Sequence, residues 1–423
     1  MKAASKEKII CDILVAGGGV SGTAAALAAA RGGADTVLIE KENVLGGAGY
    51  FGLLHFICGL YLNGDTLPAE TLNHGIVREI VALLCDISPH RTIRKIGQVY
   101  VLPYSREDLR SVFTSLCGKE PKLSVHYNTK AISVEKKDGM IIKVIVDHLG
   151  SGRDIFPKAV IDCSGNGDIS AMAGASFELS SSEKLQLAGY TILLKGLKDA
   201  DDTLSIKVPY YLAAAVREKI LSPCLRFTTF TPGDAPDEGY CKMSIDGIDG
   251  TERERSARKD AVAVHDYLKN ILPSFRDSYI AGSSSHVMDR EGRRVSGEYT
   301  LTEEDVLNAR KFHDGVVKNS WPIEIWDKNK GTIYKYIKHG DYYEIPFRCL
   351  KVKDIANLFC AGRCISVSSG ALGSTRVMGA CIALGEQAGM GAASMVKEGN
   401  RSISGNDKNM EAECPLQRTA IRE

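Results

Sequence analysis

The sequence predicts an α/β fold in which a parallel sheet with helices and an antiparallel β-meander carries an inserted domain of mixed α+β structure. Three features indicate this fold. Residues 9–40 follow the order strand, glycine turn, helix, strand, which is the sequence form of a βαβ unit. Residues 176–350 change to mixed strands and helices. A long helix of small and apolar residues is expected at 377–396.

Composition and charge exclude several classes of protein. The chain has 423 residues, of which 44% are apolar, with 53 basic and 52 acidic side chains. Nucleic-acid binding is not expected, because it would call for a basic surface. Membrane insertion is not expected, because it would call for a long apolar helix. The N-terminus lacks a secretory signal pattern, and the 12 cysteines show neither C-x-x-C nor metal-ligand spacing. We therefore expect a cytoplasmic protein without a metal site.

The first elements follow from hydrophobic patterning. A β-branched run at 9–15 predicts a strand, an alanine-rich run at 21–31 predicts a helix, and residues 36–39 predict a second strand that ends at Glu40. Residues 12–30 are long enough to cross a bilayer, but four glycines interrupt them. A membrane span is therefore rejected.

Later segments contain residues that are typical of helix N-termini and of hairpin turns. Ser105 with Asp108 predicts a capped helix that reaches Cys117, and Thr302 with Asp305 predicts another. Two β-rich runs, 124–135 and 140–147, flank the turn dipeptide Asp138-Gly139 and predict a hairpin. A third run at 159–162 precedes the segment SGNGD.

We divide the chain into a first nucleotide-binding part at 1–175, a substrate or cap domain at 176–350 and a closing nucleotide-binding part at 351–400. Residues 401–423 are polar and lack periodicity, so a loose tail is expected there.

The segment AGGGVSG at 16–22 predicts a dinucleotide site. Gly17 allows a tight turn, Gly19 lets a pyrophosphate approach the backbone, and Gly22 permits close packing of helix against strand. The helix N-terminus directs free N–H groups at the phosphates. Glu40, at the end of the next strand, is placed to accept hydrogen bonds from ribose hydroxyls.

Several ordered motifs extend this prediction. They are LGGAGYFG at 45–52, AVIDCSGNGDISAMAGA at 159–175, YYEIPFRCL at 342–350 and the segment 357–389. With these motifs the chain resembles, from about residue 12 to 391, the FAD-dependent oxidoreductases of the glutathione-reductase-like flavoprotein superfamily, in a family distantly related to soluble fumarate reductases. The resemblance implies a Rossmann-like FAD-binding domain and noncovalent FAD, since the sequence around His55 does not match a histidyl-flavin segment.

Residues that the motif and the resemblance place at the cofactor are Gly17, Gly19, Val20, Ser21, Gly22, Glu40, Lys41, Gly46, Gly47, Ala48, Gly49, Ala131, Ser164, Gly165, Asp168, Gly362, Arg363, Gly373, Ser374, Thr375, Arg376 and Val377. The sequence departs from the superfamily pattern at Cys163, Ser164 and Asn166, and Arg363 stands where many members have an acid that binds the ribityl chain. A ribityl carboxylate is therefore not expected.

A glycine- and serine-rich loop at 366–375 is expected to precede the long helix. The resemblance places Arg376, which lies between this loop and the helix, together with the helix N-terminus at the pyrimidine edge of the flavin. There they would stabilise negative charge. The alternative for Arg376 is a surface salt bridge. No second G-x-G-x-x-G follows a strand, which argues against an NAD(P)H domain, and Cys360 and Cys364 are interpreted as packing thiols.

Catalytic candidates come from HVMDREGRRVSGEY at 286–299. Arg290, Arg293 and Arg294 are suited to bind a carboxylate or pass a proton, with Arg290 and Arg294 taken as catalytic candidates. His286, the third candidate, is suited to acid–base work. Salt bridges of the arginines to neighbouring acids, and a structural role for the histidine, are the alternatives. The two tryptophans, Trp321 and Trp326, are expected to anchor the smaller domain.

These expectations define a dehydrogenase- or reductase-type enzyme that transfers a hydride between flavin N5 and a small organic substrate, with a carboxylate as one candidate. A separate electron donor or acceptor would complete the cycle. A flavin monooxygenase or oxidase using oxygen, and a flavin-binding electron carrier or subunit without turnover, are the alternatives.

Overall fold

The computed structural model describes residues 7–247 and 250–404. The strands are β1 (Glu7–Ala16), β2 (Thr36–Ile39), β3 (Phe56–Ile57), β4 (Arg94–Ile96), β5 (Val99–Pro103), β6 (Leu123–His126), β7 (Thr129–Lys137), β8 (Met140–His148), β9 (Ser151–Asp162), β10 (Phe177–Glu178), β11 (Ala188–Lys195), β12 (Thr229–Pro232), β13 (Gly239–Ile245), β14 (Tyr279–Ser283), β15 (Arg294–Val295), β16 (Gly315–Asn319), β17 (Ile323–Asp327), β18 (Gly331–Lys335), β19 (Tyr343–Pro346) and β20 (Leu358–Cys360). The α-helices are α1 (Val20–Arg31), α2 (Ala48–Phe51), α3 (Ile76–Ile87), α4 (Arg106–Gly118), α5 (Asp168–Met172), α6 (Leu204–Arg217), α7 (Thr251–Ile271), α8 (Glu303–Leu307), α9 (Ser369–Thr375) and α10 (Met378–Ser404).

The main sheet has the strand order β6-β2-β1-β9-β8-β7, with β20 also paired to β9. The pairs β1–β2, β1–β9, β2–β6 and β9–β20 are parallel, whereas β8 pairs antiparallel with both β7 and β9. The expected parallel sheet with helices and an antiparallel β-meander is therefore confirmed.

Several local predictions are confirmed by their contacts. Thr302 and Asp305 form both hydrogen bonds of a capping box at α8. Ser105 Oγ accepts from the backbone N–H groups of Glu107 and Asp108, which caps α4. Asp138 and Gly139 join β7 to β8 and both have positive φ, as a tight hairpin turn requires.

Two predicted segments differ from the structure. The run at 124–135 is two strands, because Asn128 has a φ of 50° and turns the chain between β6, which pairs with β2, and β7, which pairs with β8. The segment at 366–375, expected as a loop, forms α9 from Ser369 onward. Ser368 Oγ accepts from Ala371 N at 3.2 Å and so provides the cap that starts this helix.

Helix α10 lies against α1, and small residues allow the two backbones to approach closely. A Cβ added at Gly385 would lie 2.0 Å from the Ser21 carbonyl oxygen, and one at Gly389 would lie 2.3 Å from the Ala25 oxygen. This contact fixes α1 on one side while the sheet fixes it on the other.

A second hydrophobic core lies between residues 188 and 287. It is formed by the sheet β12-β13-β11-β14 together with α6 and α7. Along β13, Cys241, Met243 and Ile245 point into this core, as the period of two along a strand requires. Tyr240 and Lys242 therefore point to the opposite face of the sheet.

Residues beyond this second core, from Val295 to Ile345, contribute to the large first core. The domain boundaries 175/176 and 350/351 stay a prediction. The predicted tail at 401–423 is helical as far as Ser404, and its remainder lies outside the described residues. None of the helices within the described ranges has both the length and the hydropathy of a membrane span.

The α1–α10 contact gives a test of the fold. Gly389→Val should lower the free energy of unfolding by about 1–3 kcal/mol, because its side chain overpacks a backbone contact. Thermal unfolding followed by circular dichroism measures the change. Gly399→Ala in the same helix is the control, since an added Cβ there meets nothing within 4 Å. Equal stability of the two variants would contradict the close packing.

Candidate functional site

A single cavity of about 740 Å³ joins the carboxyl ends of β1, β2 and β9 to the face of the second sheet that lies opposite the second core. At one end are the loops that follow those parallel strands. At the other end are side chains of β11, β12 and β13. Ligands of open α/β sheets bind outside the carboxyl ends of the strands, so the first end is the position that the fold favours for a nucleotide.

The glycine loop after β1 has the geometry expected for phosphate binding. Gly17 has a φ of 103°, and a Cβ at Gly22 would lie 1.7 Å from the Gly17 oxygen, so both positions need glycine for the protein's own packing. Gly19 differs, since an added Cβ would meet only Gly47 Cα at 3.9 Å. The open space beside Gly19 belongs to the cavity, and α1 begins there without a side-chain cap.

Glu40 is buried beside this loop. Its Oε2 accepts from the Gly18 N–H at 2.5 Å and its Oε1 from the Glu42 N–H at 2.9 Å. Burial raises the pKa of the Glu40 carboxyl above its ordinary value, although the two backbone N–H groups oppose this shift. The two hydrogen bonds fix the carboxylate at the cavity wall.

Asp162, at the end of β9, organises the next wall of the cavity. Its Oδ1 accepts from Ser164 N at 3.1 Å and from Ser164 Oγ at 2.6 Å, and its Oδ2 accepts from Ser170 N and Oγ, both at 2.8 Å. Gly165 has a φ of 78°, and a Cβ there would meet only Arg363 Nη2 at 3.9 Å. The motif SGNGD therefore forms a fixed loop with an open backbone face at Gly165.

Most of the residues predicted at the cofactor line this cavity. They are Gly17, Gly19, Val20, Ser21, Glu40, Lys41, Gly47, Ala48, Gly49, Ala131, Ser164, Gly165, Asp168, Gly362, Arg363, Arg376 and Val377. Gly22 and Gly46 support the loop from behind, since Gly46 N donates to Gly18 O at 2.8 Å.

Three predicted residues of α9 do not line the cavity, because α9 is a packed helix rather than a loop. Ser374 and Thr375 are fully buried, and Ser374 Oγ donates to Trp321 O at 2.6 Å. Gly373 lies against the backbone of Glu324. These residues hold α9 in place behind the cavity.

Arg363 and Arg376 both reach the cavity, and each is anchored to backbone oxygens. Arg363 Nη1 donates to Glu291 O at 2.7 Å and to Asp289 O at 3.2 Å. Arg376 Nη2 donates to Glu324 O at 2.9 Å, while its buried Nε has no hydrogen-bond partner among the described residues. A surface salt bridge, the alternative interpretation of Arg376, does not describe this buried contact.

Arg290, the first catalytic candidate, lies at the far end of the cavity. Its guanidinium carbon is 3.7 Å from the centre of the Trp326 ring, and Nη1 donates to Leu187 O. A Cβ at Gly189 would lie 2.9 Å from Nη2, so a glycine in β11 makes room for the guanidinium. Nη2 is buried and has no hydrogen-bond partner in the described part of the chain.

The other two catalytic candidates lie elsewhere. Arg294 is buried in ion pairs with Glu291 at 2.8 Å and Glu178 at 3.5 Å and does not line the cavity, which matches its salt-bridge alternative. His286 is half-exposed, and its Nε2 is 3.6 Å from the Glu42 carboxylate. It lines the cavity beside Glu42, which follows Glu40 by two residues.

Sequence reasoning missed a group of residues around Arg290. Lys242 of β13 lines the cavity, and its ammonium is 4.5 Å from the centre of the Trp326 ring. Glu324 Oε1 accepts from Trp326 Nε1 at 2.9 Å and Tyr334 Oη at 3.3 Å. Although burial opposes it, the positive charges of Lys242, Arg376 and Arg290 lower the pKa of Glu324. This end of the cavity therefore holds three cations and one carboxylate.

His55 and Tyr240 form an aromatic wall beside this group. Their rings are stacked with centres 4.2 Å apart, and burial lowers the pKa of His55 to about 3. His55 is thus neutral near neutral pH, and its buried Nε2 lacks a hydrogen-bond partner among the described residues.

A parallel sheet with a glycine loop, a buried acid after the second strand and an open backbone cradle define a dinucleotide-binding fold. The family model for FAD dependent oxidoreductase matches residues 12–407, and the chain belongs to this family. The cofactor is FAD, and the open backbone at Gly19 and Gly165 fits a dinucleotide, since a side chain at either position would occupy cavity space.

Solved structures of similar fold share little sequence with this chain. The p-nitrophenol 4-monooxygenase PnpA from Pseudomonas putida has a TM-score of 0.51 at 12% identity, over 93% of this chain and 81% of that one. A geranylgeranyl bacteriochlorophyll reductase-like protein from Thermoplasma acidophilum has a TM-score of 0.47 at 15% identity, over 94% and 80%. The similarity to PnpA shows the fold of this chain. A search of curated proteins finds no significant match.

The open space beside Gly19 gives a test of the cofactor site. Gly19→Val should fold but lose most of its FAD, because the side chain would occupy the cavity instead of contacting protein atoms. The FAD content of the purified protein, measured by visible absorption, checks this. Gly64→Val is the control, since a Cβ there meets nothing within 4 Å and Gly64 lies outside the cavity lining. Full FAD content in Gly19→Val would contradict the assignment.

Proposed function

We propose that the protein is a dehydrogenase- or reductase-type enzyme that transfers a hydride between FAD and a small organic carboxylate. When bound, FAD supplies two-electron chemistry at its N5 position. The chain's own residues hold the cofactor, bind the carboxylate and exclude water. Residues 176–350 are assigned to substrate binding, and a separate electron donor or acceptor is assigned to the second half of the cycle.

The observation that carries this proposal is the unpaired Arg290 guanidinium edge at one end of the cofactor cavity. A buried polar group without a partner costs free energy, so Nη2 is expected to gain a partner when a ligand binds. Even when the Lys242 amine is neutral, Arg290 and Arg376 outnumber the Glu324 carboxylate that faces them, so positive charge is left uncompensated at this end. A carboxylate satisfies both the donor and the charge.

Arg290 is positioned before any ligand arrives. The ring of Trp326 covers one part of the guanidinium, the Leu187 oxygen accepts from Nη1, and the backbone at Gly189 limits its movement. A charged group held this way loses little entropy on binding, which favours affinity for a small ligand. Preorganisation of this kind also orients the substrate next to the cofactor.

Arg376 serves the cofactor in this proposal. It lines the same cavity, it remains cationic, and its Nη2 is fixed on Glu324 O. We assign it the stabilisation of negative charge on the reduced cofactor. A fixed positive charge of this kind shifts the equilibrium toward the reduced form.

Removal of the Arg290 charge should weaken carboxylate binding. Arg290→Met is expected to raise the dissociation constants of acetate, lactate, malonate and succinate by about 10- to 100-fold, as loss of a hydrogen bond to a charged group does. Difference spectra of bound FAD on titration with each acid provide the measurement. The control is Arg226→Met, because Arg226 also stacks on an aromatic ring, at 4.6 Å, but lies outside the cavity lining. Equal affinity of Arg290→Met and wild type would exclude this site.

A substitution behind Arg290 separates its position from its charge. Gly189→Val should displace the guanidinium, since even a Cβ would lie 2.9 Å from Nη2, and should weaken the same binding by about 10-fold or more. FAD content should be unchanged, because β11 lies at the substrate end of the cavity. Unaltered carboxylate affinity with normal folding would show that the position of Arg290 is unimportant.

Anaerobic stopped-flow absorbance tests the reaction type. We expect at least one small carboxylic acid to bleach oxidised FAD, or one unsaturated or keto acid to restore the absorbance of dithionite-reduced enzyme. Reoxidation by air alone, with peroxide or a hydroxylated product, would overturn the proposal in favour of an oxidase or monooxygenase. Absence of any redox response from bound FAD would favour a protein without turnover.

A further inference from the structure

We propose that Lys242 is the residue that exchanges the substrate's proton in the reaction. This inference rests on the proposed function and adds a proton-transfer group that is separate from the carboxylate-binding Arg290. It stands on the position of Lys242 in the sheet, on the charges that face it and on the chemistry that hydride transfer requires.

The position follows from strand alternation. Tyr240 and Lys242 lie on the face of β13 opposite the second core, and Thr191 of β11 is the direct cross-strand partner of Lys242. Thr191, Tyr240 and Lys242 all line the cavity. Among the cavity-lining residues of this sheet, Lys242 is therefore the one that carries an ammonium group.

The charged and titratable groups near Lys242 come from several elements, while its cross-strand partners on β11 and β12 are Thr191 and Thr229. Arg290 precedes β15 and Arg376 directly follows α9. Glu324 lies on β17, and His55 and Cys58 flank β3. Lys242 and Arg290 contact the same indole, at 4.5 and 3.7 Å from its centre. The Glu324 oxygen Oε1 accepts from Trp326 and Tyr334. Lys242 is thus in a cationic environment with one shared carboxylate nearby.

This environment selects Lys242 for proton exchange. Burial and the positive charge of Arg290 lower the pKa of Lys242 to about 8. Burial also lowers the pKa of Arg290, to about 9, but its delocalised guanidinium keeps its proton near neutral pH. Burial lowers the pKa of His55 to about 3 and raises the pKa of Tyr334. Around neutral pH, Lys242 is the member of this group that can both accept and donate a proton.

The proposed reaction moves a hydride and a proton from two adjacent substrate atoms. In the oxidation direction, a substrate C–H bond breaks and its hydride, with two electrons, goes to FAD. A proton on the adjacent substrate atom goes to the neutral Lys242 amine, and a double bond forms between the two substrate atoms. In the reduction direction the Lys242 ammonium returns that proton. Arg290 holds the carboxylate in both directions and exchanges no proton.

The first test measures the ionisation of Lys242 in the FAD-loaded enzyme. Trace acetylation with acetic anhydride across a pH series, followed by peptide mass spectrometry, reports the fraction of neutral amine at each lysine. We expect Lys242 to follow a titration with a midpoint near 8. Lys195, on the neighbouring strand and paired with Glu238 at 2.6 Å, is the reference and should titrate above the ordinary lysine value. A Lys242 midpoint equal to that of Lys195 would overturn the proposal.

The second test separates binding from proton transfer, using the carboxylic acid that reduces FAD in the wild type. Lys242→Arg keeps the positive charge but does not release its proton, so carboxylate affinity should stay within about 3-fold while the rate of FAD reduction falls about 10²- to 10⁴-fold. In the wild type this rate should rise with pH through about 8, because the neutral amine is needed, and Lys242→Arg should lack this rise. Lys195→Met is the control, with wild-type rates.

Failure of this inference is distinct from failure of the proposed function. If no carboxylic acid reduces FAD in the wild type, the hydride-transfer proposal fails and the role of Lys242 fails with it. If an acid does reduce FAD and Lys242→Arg reduces it at the wild-type rate with the same pH profile, hydride transfer stands and the role of Lys242 is excluded.

Discussion

The close approach of helix α1 to the ends of β1 and β9 is the constraint on which the remaining structure depends. Gly22 lies directly over the Gly17 oxygen, and Gly385 and Gly389 of α10 lie on the opposite side of the same helix. A side chain at Gly22 would push α1 away from the sheet, and side chains at Gly385 or Gly389 would push α10 away from α1. Because α1 is held from both sides, its N-terminus, the Gly19 backbone and the Glu40 carboxylate keep fixed positions around the cofactor cavity.

The second sheet contributes polar and cationic side chains to this cavity. Its inner face forms a core with α6 and α7, so its outer face is free to present Thr191, Tyr240 and Lys242. Buried cations are costly unless they are compensated. Here Trp326 covers two of them, and Glu324 compensates part of the charge. The remaining positive charge is the basis for proposing an anionic substrate. We assign substrate binding to Arg290 and proton exchange to Lys242, the two cationic side chains on Trp326.

Sequence patterns predicted the fold of the cofactor half and most of the residues that line its end of the cavity, because its signals lie close together in sequence. The glycine spacing at 17–22 and the caps at Ser105 and Thr302 depend on neighbours a few residues away, and Glu40 lies 22 residues from its partner Gly18, within one βαβ unit. The substrate end depends on contacts between distant segments. Lys242 looks like an ordinary polar residue of an alternating strand, and its partner Trp326 lies 84 residues further on. Arg290 and Arg294 are equivalent in sequence, yet Glu291 and Glu178 engage only Arg294. Helix α9 was not predicted, because its glycines indicated a loop. In the structure these glycines allow close contacts with Glu303 and Glu324.

The most direct test of this account is a crystal structure of the FAD-loaded protein with malonate bound. The account predicts FAD along the glycine loop and Glu40, and a malonate carboxylate within hydrogen-bond distance of Arg290 Nη2, with Lys242 bordering the same space. Flavin density that fills the space around Arg290, or malonate bound only outside this cavity, would contradict the division of the cavity into a cofactor end and a cationic substrate end.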